Sequence, residues 1–152
     1  MLFVDADTEL SKNFLENIIE VMQDPKVVCA SGYIKTRGNI FERFLFRASS
    51  ELAWLLSIIR YPHFYGNCLA CKKDAFEKIG GFNEELKTCE DLDLTKRISK
   101  LGKCILVRRA IAYSSPRRVR KTGALRIAIF HIINFFKYKL LKRPREHYPI
   151  VR

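Results

Sequence analysis

Three carboxylates fall within four residues, Glu90, Asp91 and Asp93, at the end of the stretch 66–94. Two of them are adjacent, so on any helix or strand they point in different directions. A solvated surface on an otherwise basic chain rarely needs so much negative charge in so few residues. Gly80-Gly81 just upstream marks a forced turn, because glycine adopts positive φ at little steric cost. Phe82 follows as an apolar anchor, and then Asn83-Glu84-Glu85. The segment 80–91 therefore reads as an active-site loop that presents a carboxylate to a bound substrate. The acids also open a helix, capped by Thr88, with apolar positions at Leu92, Leu94 and Ile98. Lys96, Arg97 and Lys100 fill its last turns, an order of charge that complements the helix dipole. Ordinary first-turn acids are thus the competing reading for all three.

A second acidic signal stands at the start. Leu2-Phe3-Val4 is a short apolar run that stops at acid, and it reads as a buried parallel strand with Asp5 and Asp7 at its carboxyl end. Ligands of open α/β sheets bind just beyond the carboxyl ends of strands. If the chain stays extended, residues two apart project to one face, and Asp5 and Asp7 converge on one ligand. Hard oxygen donors suit Mg²⁺ or Mn²⁺, ions that usually share their shell with substrate phosphates. The alternative is that the two acids merely end a strand and cap the next helix.

The glycine-glycine-phenylalanine turn at 80–82 followed by the acidic pair Glu90-Asp91 resembles the family-2 inverting glycosyltransferases of the GT-A fold. The Asp5-Ala6-Asp7 motif looks like that family's metal and nucleotide-sugar motif, and the two signals stand in the expected order, about eighty residues apart. Ser115-Pro116-Arg117-Arg118 lies downstream, where similar enzymes carry an arginine pair. The resemblance implies an α/β fold with a GT-A-like mixed sheet flanked by helices. It makes Asp91 the catalytic base that deprotonates an acceptor hydroxyl. It assigns Asp7, with Asp5, to the divalent metal, Mn²⁺ or Mg²⁺. Asp5, Glu90, Arg117 and Arg118 fall to substrate binding, the arginines meeting the donor diphosphate. The implied partners are a nucleotide-sugar donor and a carbohydrate or lipid-linked acceptor. The likeness covers residues 1–120 and only the later half of the family's domain. The N-terminal strand-helix units that bind the nucleotide base are expected to be missing, which makes activity of this chain alone doubtful.

Between the two acidic signals the chain reads as alternating elements. Phe14, Leu15, Ile18, Ile19 and Met22 recur at helical spacing, predicting a helix over 12–23 capped by Thr8 or Ser11. Asp24-Pro25 stops it. A strand is expected over 27–34, and an apolar helix over 40–59 capped by Asn39, with Arg43, Arg47 and Glu51 as a polar stripe. A helix this apolar reads as core or interface; the resemblance, whose family has its acceptor site near this region, implies contact with an acceptor or bilayer as the alternative to core packing. His63 reads as a loop residue. Expected next are a strand over 67–71, a short helix over 73–79, and strand material at 104–107 and 110–113.

Residues 1–112 hold 17 lysines and arginines against 15 acids, whereas residues 113–152 hold 11 against one. The net charge of +12 is therefore a property of the tail. Arginine presents a planar fork that matches phosphate oxygens. A last helix over 124–141 has a broad apolar face interrupted by Arg126, His131, Asn134, Lys137 and Lys139. It is too polar to read as a span but suits an amphipathic helix lying in an interface plane. Lys142-Arg143-Pro144-Arg145 adds charge for anionic headgroups. The basic tail, 121–152, is thus expected to reach an anionic membrane surface, and the chain to be cytoplasmic and peripheral there. Packing of the same helix on the domain is the alternative.

Five cysteines, an odd number with no secretory signal ahead of them, argue against a disulfide framework. Cys68 and Cys71 have zinc-ligand spacing without a second pair, so they read as small apolar residues of a buried strand. A non-catalytic basic module that binds nucleic acid through phosphate neutralisation is the rival function. No nucleic-acid motif accompanies the charge, which disfavours it. An inactive remnant of the same fold is the other.

Overall fold

Val27–Lys35 form strand β3 in the computed structural model, which describes residues 1–141; the basic run Lys142-Arg143-Pro144-Arg145 lies outside them. Eight of the nine β3 residues are buried, as expected of an apolar run covered on both faces. Around it stand β1 (Leu2–Val4), β2 (Thr8–Leu10), β4 (Cys68–Cys71) and β5 (Lys103–Ser114). The five strands form one mixed sheet in the order β1-β4-β3-β5-β2. β3 and β5 run parallel, and the other pairs are antiparallel.

The helices are α1 (Phe14–Met22), α2 (Ile40–Ile58), α3 (Lys73–Lys78), α4 (Glu90–Ile98), α5 (Arg117–Thr122) and α6 (Ala124–Leu141). Alternation along the strands divides the core in two. Ala30, Ile34, Cys68 and Ala70 meet Phe14 and Ile18 of α1 on one face. Cys29, Tyr33, Leu69 and Cys71 meet Leu94 and Ile98 of α4 on the other. Cys68 and Cys71 therefore point to opposite faces and cannot share a metal ion; Cys71 Sγ lies 3.7 Å from Cys29 Sγ instead.

Several local expectations are corrected. β1 is an antiparallel edge strand paired with β4 and only half-buried, not a buried parallel strand. Its three residues are too few to cross the sheet, and β4 runs against them. Thr8 caps no helix, because it starts β2 and pairs with Ser114. α1 begins later, after Asn13, without a side-chain cap. Thr88 does not cap α4 either; it is buried, and Cys89, in the left-handed region at φ 61°, stands at the N-cap. The strand material at 104–107 and 110–113 is one strand with a bulge. The register jumps from Gly32↔Val107 to Tyr33↔Ile111, leaving Arg108, Arg109 and Ala110 unpaired with β3. Gly32 makes that jump sterically feasible, since a Cβ there would lie 2.8 Å from the Ala110 carbonyl oxygen and against the Phe14 ring.

Asn39 caps α2 as expected. Its Oδ1 accepts from Glu42 N–H at 2.9 Å while Glu42 Oε2 accepts from Asn39 N–H at 2.8 Å, a reciprocal capping box. The helix is nevertheless turned against the usual sense. Glu42, Ser50 and Ala53 face inward, while Ile40, Phe44 and Leu55 are more than half exposed.

Candidate active site

One cleft of about 510 Å³ opens where the end of β1, the 63–67 loop, the start of α4, the end of β5 and α5–α6 meet. Asp5, Asp7, Glu90, Asp91, Arg117 and Arg118 all line it. The two acidic signals of the sequence are thus brought together, with the arginine pair beside them.

Asp91 enters the cleft because α4 begins abruptly. Gly80 and Gly81 both take positive φ, at 75° and 69°, and end α3. The chain then returns and turns again at Cys89. Asp91 Oδ2 accepts from Gly66 N–H at 2.9 Å, and Oδ1 accepts from Leu92 N–H at 2.7 Å. Burial, aided by the neighbouring charge of Glu90, pushes the Asp91 carboxyl up to about 6, against the pull of those two N–H donors. A carboxyl held there is largely ionised at neutral pH yet basic enough to take a proton, as a general base requires.

The cluster of three acids separates into different surroundings. Glu90 is exposed at the cleft edge, beside Asp91. Asp93 is buried away from the cleft, where its Oδ1 accepts from Tyr138 Oη at 2.5 Å and its Oδ2 from Arg97 Nε at 2.6 Å. It ties α6 to α4.

Asp5 and Asp7 reach the cleft by a different route from the one expected. The chain does not stay extended beyond Val4: Thr8 N–H donates to the Asp5 carbonyl at 3.0 Å, so residues 5–8 form a tight turn between β1 and β2. The Asp5 carboxylate accepts from Asn67 Nδ2 at 3.3 Å, and the same amide group donates to Ser114 Oγ at 3.2 Å. Asp7 Oδ2 lies 2.9 Å from the Arg117 guanidinium. Asp5 and Asp7 supply hard oxygens of the kind Mg²⁺ or Mn²⁺ prefers. Among the described residues no cluster of three or more His, Cys, Asp or Glu can hold a metal ion by itself. Two carboxylates are fewer than a protein-only site needs, and Asp7 is engaged by Arg117, so an ion here would have to draw further ligands from phosphate oxygens and water.

Arg117 and Arg118 sit in the first turn of α5, a short helix where the sequence reads as a basic segment after a turn. Arg120 anchors that helix, donating to both carboxylate oxygens of Glu42 at 2.7 and 3.0 Å. The guanidinium and the Asn39 N–H hold the Glu42 carboxyl below its ordinary value. Glu42 thus caps α2 and fixes α5 at once.

The cleft also contains residues the sequence did not single out. His63 lies in a loop, as expected, and there its ring stacks on Phe135 of α6 at 5.7 Å and 15°. Burial, with the charge of His131, pushes the His63 imidazole down to about 4, so it is neutral at physiological pH. Tyr65, Asn67, Lys87 and Asn134 line the same wall. No sequence signal could have found Asn67, whose partners lie 62 and 47 residues away.

No family model and no curated protein matches the chain. Among solved structures it is similar to a mannosyltransferase from Pyrobaculum calidifontis, determined in complex with GDP-mannose and Mn²⁺. The two share 19% identity at a TM-score of 0.61, over 95% of this chain and 39% of that one. The chain thus has a glycosyltransferase-like fold and spans about two fifths of that neighbour's length.

Proposed function

We propose that this chain carries the base-bearing side of the catalytic centre of a sugar transferase. It would move a sugar from a nucleotide-diphosphate donor to an acceptor hydroxyl or lipid phosphate with inversion. The observation that carries the reading is the shared cleft of Asp5, Asp7, Asp91, Arg117 and Arg118. The similar mannosyltransferase holds a nucleotide-sugar and Mn²⁺, which supports the same two ligand classes here.

In such a transfer the acceptor oxygen attacks the anomeric carbon as the bond to the diphosphate breaks. Asp91 takes the proton from an acceptor hydroxyl; an ionised lipid phosphate would need no such removal. Gly66 and Leu92 hold the carboxylate from behind, which fixes its orientation at little reorganisation cost. Asp7, with Asp5, would hold the divalent ion, which when bound supplies positive charge for the departing diphosphate. Arg117 and Arg118 meet the same diphosphate. The α6 helix and the basic residues after it would keep the chain at an anionic membrane, where lipid-linked acceptors reside; no helix among the described residues is long and apolar enough to cross one.

The test is Asp91→Asn. Transfer from a labelled nucleotide-sugar in the presence of Mn²⁺ should fall by about 10²–10⁴-fold, the usual contribution of a general base. Donor binding by calorimetry should change little. Turnover retained in the variant would refute the base assignment.

A further inference from the structure

Helix α2 presents its apolar side to solvent. Ile40, Phe41, Phe44, Leu52, Leu55 and Ile58 are each more than half exposed, while Glu42 and Ser50 point into the protein. Over 19 residues this face runs about 28 Å, at 1.5 Å per residue. A contiguous stripe of that kind marks an interaction surface.

A row of charge lies beside it on the same helix. Arg43, Arg47 and Glu51 follow at intervals of four, beside the row of Ile40, Phe44 and Leu52, and Leu55 continues their own row. Lys35 and Arg108 join them around a hollow of about 390 Å³ that also takes in Tyr33. Arg108 comes from the bulge of β5; it pairs with Glu51 at 2.6 Å and lies over the Trp54 ring at 4.5 Å. Four cations against one carboxylate leave the hollow strongly positive.

We infer that α2 lies in the plane of an anionic phospholipid bilayer. Its apolar stripe enters the boundary between headgroups and acyl chains, and the Lys35–Arg43–Arg47–Arg108 hollow receives lipid phosphates. The charge selects this partner over a second copy of the chain. Two copies meeting symmetrically through the stripe would bring their positive hollows towards each other, and like charges opposed across an interface are costly. The inference rests on the membrane part of the proposed function but assigns contact to α2, which the basic tail does not include.

Trp54, the chain's only tryptophan, provides a native probe inside α2. The full chain is mixed with vesicles of phosphatidylglycerol and phosphatidylcholine, or of phosphatidylcholine alone. Binding is read by co-sedimentation and by quenching of Trp54 with brominated acyl chains. Quenching on the anionic vesicles only is expected. Arg43→Glu with Arg47→Glu should weaken partitioning by at least about tenfold, since each charge near such a surface contributes roughly a factor of five. Phe44→Glu with Leu55→Glu should abolish the quenching. All four side chains are exposed, so circular dichroism and melting temperature should stay unchanged. Vesicle binding that both double variants retain would leave the α6 reading standing and overturn this one. A wild-type dimer in light scattering, lost in Phe44→Glu with no vesicle binding, would overturn it in favour of a second copy. Sugar transfer to a water-soluble acceptor, assayed on the same preparations, tests the transferase reading separately.

Discussion

The carboxylate of Asp7 and the guanidinium of Arg117 stand 2.9 Å apart, one on the turn after β1 and the other in the first turn of α5. Both groups are partly exposed, so the pair itself contributes little to stability. Its interest lies in the cleft it spans. A divalent cation and a diphosphate are the charges that could replace each partner for the other. Asp7→Ala is therefore expected to leave the melting temperature within about 1–2 °C of wild type, as for most exposed pairs. It should raise the Mn²⁺ concentration needed for half-maximal transfer by tenfold or more, on the order of one lost carboxylate ligand. A metal titration of activity beside a thermal melt checks both.

Asp91 sets a pH dependence with a definite sign. Its carboxyl is raised to about 6 in the folded chain from an ordinary value of 3.8. The folded state therefore prefers the protonated acid. The contribution of Asp91 to stability is fully present below about pH 4 and is lost as pH rises through 6. Asp91→Asn should accordingly be more stable than wild type above pH 6, by about 1–2 kcal/mol after discounting for solvent screening, and equal to it near pH 4. Urea titrations at several pH values measure this. With Asp91 as the proposed base, wild-type transfer should conversely fall as pH drops below about 6, where its carboxylate becomes protonated.

The hydroxyl of Tyr138 donates to Asp93 Oδ1 at 2.5 Å, a bond to a charged acceptor in a buried setting. Tyr138→Phe removes it and leaves Asp93 paired with Arg97 alone. A loss of about 1.5–3 kcal/mol is expected in chemical denaturation. Amide exchange in α6 should accelerate more than in α4, because Tyr138 secures α6 while α4 keeps its own core contacts at Leu94 and Ile98.

Gly32→Ala places a methyl group 2.8 Å from the Ala110 carbonyl oxygen and against Phe14. Backbone cannot yield as a flexible side chain can. The substitution should cost about 1–3 kcal/mol, the range for overpacking. Because Ala110 belongs to the bulge that carries Arg108, quenching of Trp54 on anionic vesicles should also diminish. A melt and the vesicle assay report the two effects independently.

Much of the architecture was legible in the sequence because short-range physics sets it. The apolar period of Phe14, Ile18 and Met22 placed α1. The reciprocal bonding of Asn39 and Glu42 started α2 at the expected residue. Gly80 and Gly81 ended α3 with positive φ. The misreadings came where strand pairing overrode local preference. Thr8 became a strand residue because Ser114 pairs with it, and Leu2-Phe3-Val4 ran antiparallel because β4 is its neighbour. Neither partner is visible within a few residues.

From residues alone came the identity of the acids and arginines and the glycine turn that precedes Asp91, since charge and backbone freedom are properties of single residues. The tertiary structure decided that Asp5, Asp7 and Asp91 share one cleft, and that Asp93 faces away to hold Tyr138. It alone turned the apolar side of α2 outward, because burying Glu42 against Asn39 and Arg120 fixes the rotation of that helix. Each of these depends on contacts across tens of residues, where chain position carries no information about distance in space.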